Sequence, residues 1–247
     1  MSQLQPIKRL RMEHAFNMRD MGGYETADGK VTAFGKLLRS DGLHALSREE
    51  WARLEEYGIR TVLDLRSLSE IKGNPDLVPD GIRWIHCPMQ TNQIDMNDIS
   101  GSASKAFVES LTQGYLHMVK ENVNLLVATL KELIEGLKRG AVLFHCSAGK
   151  DRTGVLASAV YYLMGVERED IIADYEVTYT YNKRGINRLL EQMDEHTRAI
   201  MEPLMASDPA AMDSLVSYYE EINLLQYLES YGMTQEEIEL LKTYFLV

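Results

Sequence analysis

Cys146 and Arg152 fall within Ala141-Val-Leu-Phe-His-Cys-Ser-Ala-Gly-Lys-Asp-Arg-Thr-Gly154, with Ser147, Ala148, Gly149, Lys150 and Asp151 between them. An ionised cysteine is a strong nucleophile, and an arginine presents a planar fork that matches two oxygens of a phosphate. The apolar run from Ala141 to His145 spells a buried strand and a helix is expected to begin near Thr153, so residues 147–152 form the joint. A joint of this kind can turn successive backbone N–H groups inward as an anion nest, capped by the positive end of the helix that follows. Cys146 would sit at its lip, where the same donors favour the thiolate. Taken alone, a cysteine ending a strand is more often a buried small hydrophobe, and the Cys-to-Arg spacing by itself is a short pattern of common residues.

The chemistry these residues support is in-line attack of a thiolate on phosphorus, giving a phosphocysteine that water later hydrolyses. Ser147, Ala148, Gly149, Lys150, Asp151 and Arg152 would hold the phosphate, with Arg152 on its equatorial oxygens. Thr153 would help the sulfur depart, His145 would hold the loop, and Gly149 would leave room for the oxyanion. The scheme calls for no metal and no cofactor. Lys150 adds positive charge for a second phosphate or an acidic peptide flank; its alternative reading is a solvated loop lysine.

These groups need a scaffold, and the pattern of the chain describes one. Residues 17–46, rich in Gly, Asp and Arg, read as turns around short strands, with Phe34–Leu38 the best extended run. Ser47-Arg-Glu-Glu50 is a capping box, followed by Trp51, Leu54 and Tyr57 on one face and Gly58 as a stop. Arg60–Leu65 and Ile82–Cys87 are strand-like. Helical spacing runs from about Ser104 to Lys138, through Phe107, Leu111, Tyr115 and Met118 and on to Leu137. Beyond Thr153 the chain is helical: Gly154–Met164, Glu169–Asn182, a start at Pro209 and a Thr234-to-Glu237 box before Ile238–Leu246. Strands alternating with helices, then a helical C-terminal region, predict an α/β fold with a mostly parallel sheet.

The 247 residues are 45% hydrophobic with 6 Pro and no linker-like stretch, which predicts one domain over residues 1–247. With 26 Lys+Arg against 37 Asp+Glu, the formal charge of −11 disfavours nucleic acid and anionic bilayers, so an anionic substrate requires a local positive site. No apolar stretch has signal-peptide or membrane-span length, so a cytoplasmic location without integral membrane association is expected, with export by another route left open. Two cysteines, Cys87 and Cys146, suit a reducing compartment. Cys87 is either inertly buried, the favoured reading, or a redox partner of Cys146. Nothing in the sequence sets an oligomeric state.

The His145-Cys-x-x-Gly-Lys-Asp-Arg-Thr-Gly154 segment resembles the phosphate loop of the cysteine-dependent protein tyrosine phosphatases, in the form of their bacterial atypical tyrosine and lipid phosphatase branch. Asn17–Tyr24, Leu38–Leu43, Asp64-Leu-Arg66 and Ile171–Glu176 extend the resemblance over most of the chain. The resemblance implies a central parallel sheet flanked by helices and hydrolysis of phosphotyrosine, with dual specificity for phosphoserine or phosphothreonine, or action on phosphoinositides, also open. The partner would be a phosphorylated protein or a phosphoinositide. It also implies bracing by Arg39, Ser40 and Asp41, whose other reading is a turn capped by the aspartate.

The classical Trp-Pro-Asp acid is missing, and two aspartates compete to protonate the leaving oxygen. Asp151 lies in the loop, as in branches where the loop supplies the acid; its alternative reading is a helix N-terminal charge. Asp64 ends a strand where open α/β sheets place their sites, and would be either the acid or an ion-pair anchor for Arg66. Competing functions are a phosphoinositide-preferring lipid phosphatase, a noncatalytic phosphate-reading module, and a sulfur-transfer or arsenate-reducing enzyme. The intact Cys146, Arg152 and Thr153 speak against the noncatalytic module, and the Lys150-to-Gly154 ending speaks against the sulfur-transfer and arsenate-reducing readings. Tyr175, Tyr179 and Tyr181 either line the approach to the site or pack a helix.

Overall fold

The computed structural model describes residues 8–89 and 103–247. Five strands form the sheet: β1 (Arg19–Asp20), β2 (Leu37–Ser40), β3 (Ile59–Asp64), β4 (Arg83–His86) and β5 (Ala141–His145), in the order β1-β2-β5-β3-β4. Only the β1–β2 pair is antiparallel. Helices α1 (Arg48–Tyr57) and α2 (Leu68–Gly73) follow β2 and β3. Between β4 and β5 come α3 (Ala103–Lys120) and α4 (Val123–Leu137), and after β5 the chain is helical: α5 (Asp151–Met164), α6 (Arg168–Leu190), α7 (Glu195–Met205), α8 (Pro209–Ile222), α9 (Leu224–Ser230) and α10 (Gln235–Phe245).

Side chains alternate across the sheet and so feed two cores. Leu38, Ile59, Val62, Ala141 and Leu143 face one core with Trp51 and Leu54 of α1; Leu37, Leu63, Val142 and Phe144 face the other, beneath α3–α6, α8 and α10. The C-terminal segment is tied back to this framework, with Ala33 N–H donating to Phe245 and Val247 paired with Val31. No helix among the described residues is long and apolar enough to cross a membrane.

The α/β expectation holds, with three local readings corrected and one helix missed. The run expected at Phe34–Leu38 begins at Leu37, because residues 34–36 turn through Gly35 at φ 73°. The stretch from Ser104 to Lys138 is two helices, broken at Glu121-Asn122, where Asn122 caps α4 without a side-chain bond; the side chain of Phe107 lies outside those described. Helix α6 runs on to Leu190. Helix α2 went unread, being six residues long with no buried side chain to impose a period.

The parallel strands end at one level: Ser40, Asp64 and His86 line up with His145 through neighbouring pairs. Central β5 therefore delivers Cys146 to the carboxyl edge of the sheet, with chain crossing on both sides of it. That is where open α/β sheets hold their ligands.

Candidate active site

Residues 146–150 join β5 to α5, and the helix begins at Asp151, two residues earlier than its expected start near Thr153. Three consecutive carbonyls of the loop are turned into the protein. Ser147 O accepts from Gly42 N–H at 3.0 Å. Ala148 O accepts from Asn182 Nδ2 at 2.8 Å and Asn17 Nδ2 at 3.2 Å, while Gly149 O accepts from Asn17 Nδ2 at 2.9 Å and Arg39 Nη2 at 3.0 Å. In a trans peptide the N–H opposes the C=O, so the N–H groups of Ala148, Gly149 and Lys150 point the other way, into the nest. The free N–H groups at the start of α5 add their positive end.

Gly149 is required by the packing of the loop. Its φ is 65°, and a Cβ there would lie 2.5 Å from Ser40 O. The glycine lets the loop sit on the end of β2. Cys146 is 2% exposed at the base of the loop, and Ser147 and Ala148 form an exposed rim.

Arg152 is held by a residue the sequence reading passed over. Its Nη1 and Nη2 donate to Glu70 Oε2 and Oε1 at 2.6 and 2.7 Å, and Ser147 Oγ donates to Glu70 Oε1 at 2.5 Å. The Arg152 bonds, opposed by burial and helped by Ser147, hold the Glu70 carboxyl well below the ordinary glutamate range. The clamp leaves the Arg152 Nε–H and outer Nη hydrogens as a fork for a ligand. Glu70 is also the third residue of α2, where it completes a capping box with Ser67. That Ser-x-x-Glu spacing was the only local signal, and it marks a helix start rather than a partner 82 residues away.

The two candidate acids lie in different surroundings. Asp64 is fully buried; its Oδ1 accepts from Arg66 N and Nε at 3.0 and 2.9 Å, and its Oδ2 from Arg66 Nη2 at 2.7 Å. Burial opposes its ionisation, but Arg66 and His145 hold its carboxyl below the usual range. This is the geometry of the ion-pair anchor. Asp151 is part-exposed at the first turn of α5, and its Oδ1 accepts from Tyr115 Oη at 2.6 Å. Tyr115 Oη lies 2.7 Å from Tyr175 Oη.

His145 Nδ1 lies 3.2 Å from Cys146 O, and its Nε2 is 3.1 Å from Asp76 Oδ2. Asp64, Asp76 and His145 bring ligand atoms within 4.8 Å of one another, but Arg66 Nη2 bonds both carboxylates and fills the place of a cation. Thr153 Oγ1 is buried without a hydrogen-bond partner. Lys150 is buried, with Nζ 3.2 Å from Ala206 O and 3.6 Å from Asp151 Oδ1. Arg39 braces the site by joining Gly149 O to Asp174, and Asp41 accepts from Phe16 and Asn17 N–H at 2.9 and 3.0 Å. Cys87 is buried, and its thiol is pushed up to about 12, mainly by burial and then by Glu132 and Asp64. That suits the inert reading rather than the redox one. Tyr175 packs against Gly154, while Tyr181 stacks on Arg9, 4.1 Å from its guanidinium.

Cys146 follows the central strand at the carboxyl edge of a parallel sheet, beside a loop shaped as an anion nest and an arginine held by Glu70, an arrangement suited to a phosphate group. The chain belongs to the tyrosine phosphatase family, whose model matches residues 10–247, and it is a protein-tyrosine phosphatase. The triple specificity protein phosphatase PtpB of Mycobacterium tuberculosis is 32% identical over 185 residues, covering 65% of this chain and 66% of that protein. A tyrosine-protein phosphatase of Nostoc commune is 27% identical over 220 residues, 83% of this chain and 72% of its own. The crystal structure of P. aeruginosa TpbA overlaps 60% of this chain and 71% of its own at a TM-score of 0.37 and 16% identity, too distant to bear on function.

Proposed function

We propose that the protein hydrolyses phosphotyrosine through a phosphocysteine intermediate. The observation that carries this reading is the bonding of three consecutive loop carbonyls into the surrounding protein, which leaves the loop's N–H groups on the opposite side, facing the nest. The Cys146 thiolate attacks phosphorus in line, the phosphorus–oxygen ester bond breaks, and Asp151 gives its proton to the departing phenolic oxygen. Loop N–H groups and the Arg152 fork bind the three equatorial oxygens as charge shifts onto them. Water then attacks phosphorus, Asp151 takes its proton back, and the sulfur leaves with a hydrogen bond from Thr153. Asp64 anchors Arg66 and takes no part in proton transfer.

Burial of Cys146 beneath the Ser147–Ala148 rim suits a substrate whose phosphate stands at the end of a phenyl ring. Serving phosphoserine, phosphothreonine or phosphoinositides would be secondary. Phosphate release from a phosphotyrosine peptide, without added divalent metal, tests the reading. Wild type should turn over and Cys146→Ser should not, while still binding phosphate; comparable rates for the two would refute it. Asp151→Asn should slow esters with poor leaving groups far more than those with good ones, because only the former need protonation.

A further inference from the structure

Outside the phosphate loop, four arginines gather around Phe16 and Tyr181. A cleft of about 420 Å³ opens between the 9–16 segment and α6, lined by Arg9, Arg11, Arg184, Met12, Phe16 and Tyr181 among others. Arg9 spans its base: Nη2 donates to Phe16 O and Tyr181 O, both at 3.0 Å, and buried Nε has no partner. Arg11, Arg184 and Arg188 are exposed, and Arg184 and Arg188 both lie 5.9 Å from the Phe16 ring. None of these four arginines forms an ion pair among the described residues, in a chain with 37 acidic side chains against 26 basic ones. Unneutralised guanidinium groups on an acidic protein are a local attractor for carboxylates and phosphates.

The cleft adjoins the catalytic rim. Asn182 and Asn17, which bond the carbonyls of Ala148 and Gly149, are the chain neighbours of Tyr181 and Phe16 in its walls. The exposed rim residue Ala148 is thus tied to the residue next to the cleft wall.

From this placement we infer that the cleft docks the acidic flank of a phosphotyrosine peptide, so that Arg11, Arg184 and Arg188 set substrate preference. The inference rests on the phosphotyrosine reading above and adds the class of sequence around the phosphate. Guanidinium forks match carboxylates, and the Met12, Phe16 and Tyr181 surfaces offer apolar contact to peptide side chains, which a polyol headgroup lacks. A charge of −11 over the whole chain opposes approach to an anionic bilayer, whereas a short peptide responds to the field of the cleft alone.

Binding and turnover are measured separately. On Cys146→Ser, fluorescence anisotropy compares a phosphotyrosine peptide flanked by Asp and Glu with the same peptide flanked by Ala, with and without Arg184→Ala/Arg188→Ala. The acidic peptide should bind about fivefold more tightly. That advantage should disappear in the double arginine variant and shrink as salt rises from about 0.05 to about 0.3 M. Equal binding of the two peptides, or a preference that survives the arginine changes, overturns the inference. So does a soluble phosphoinositide that loses more affinity than the peptide in the arginine variant. With Cys146 intact, p-nitrophenyl phosphate hydrolysis should be unaltered by the two arginine changes. Absence of that hydrolysis in the wild type would sink the catalytic reading, leaving the docking result to stand on binding.

Discussion

Two buried charge networks flank the phosphate loop, and they do different work. On the β2 side, Arg19 and Arg39 share the single carboxylate of Asp174, at 3.2 and 2.7 Å. The surplus cation is spent on the loop: Arg39 reaches Gly149 O, and Arg19 holds Asn17, whose amide bonds the same carbonyl. On the β3 side the ratio is reversed, with Asp64 and Asp76 both on Arg66. That network touches the loop's carbonyls nowhere among the described residues and acts through His145, next to Cys146. The first therefore fixes the shape of the nest, and the second fixes the strand end that carries the nucleophile.

The difference predicts unequal damage. Asp174→Asn removes the shared counter-charge and leaves two buried guanidinium groups, which should cost about 3–5 kcal/mol in urea unfolding at neutral pH. Burial opposes ionisation of Asp174, but Arg19, Arg39 and Lys8 hold its carboxyl far below the usual range. Because the folded value is depressed, its stabilisation is complete above the unfolded value of about 4 and fades as pH falls below it. The gap between wild type and variant should therefore be constant from pH 7 to 5 and narrow below about pH 4. A constant gap at pH 3 would break the assignment.

Asp64→Asn should cost less, about 2 kcal/mol, because Asp76 stays on Arg66. It should also change turnover of good and poor leaving groups by the same factor. Selective slowing of poor leaving groups would move the acid role from Asp151 to Asp64 and erase the functional contrast between the networks.

A third clamp, the Glu70–Arg152 pair, lies near the surface on the short helix α2. Glu70→Gln should lower kcat/KM about tenfold by loosening the Arg152 fork, with little change in unfolding midpoint. Since Arg152 keeps the Glu70 carboxyl ionised well below pH 4.5, the acid limb of the rate profile should fall at the same pH in wild type and variant. An acid limb that moves in the variant would show that Glu70 itself titrates there.

These clamps also divide what could be read in the chain from what could not. The strand–loop–helix at residues 141–164 was legible because an apolar run, a glycine-bearing joint and a helix are local patterns. Of the Arg39-Ser-Asp41 element, Arg39 reaches the loop at Gly149 O, while Asp41 caps the backbone N–H groups of Phe16 and Asn17, as the turn reading had it. Glu70, Asn182 and Asp76 were not legible, because each meets the site through a contact made only by tertiary folding. Asp64 could be placed at the right edge of the sheet, yet the choice between acid and anchor waited on Arg66 lying in reach of both its oxygens.

The smallest expected effect separates aim from framework at Asp151 itself. An ionised carboxylate can only accept, so Tyr115 donates to Asp151 Oδ1 at 2.6 Å and Tyr175 in turn donates to Tyr115 at 2.7 Å. Burial first, and then the Asp151 charge, push the Tyr115 hydroxyl far above its usual range, so it stays a donor at working pH. Each hydroxyl polarises the next, and the chain ties Oδ1 down; in the proposed mechanism, where Asp151 is protonated, Oδ2 is then the oxygen that carries the proton. Tyr115→Phe keeps the ring and removes the tether. It should cut kcat about three- to fivefold for phenolic esters with poor leaving groups, spare activated esters and leave KM unchanged. Tyr175→Phe, one bond further away, should do the same more weakly. An equal loss on both ester classes would mean that the tyrosines only pack α3 and α6 against the site, and that the aim of Asp151 comes from α5 alone.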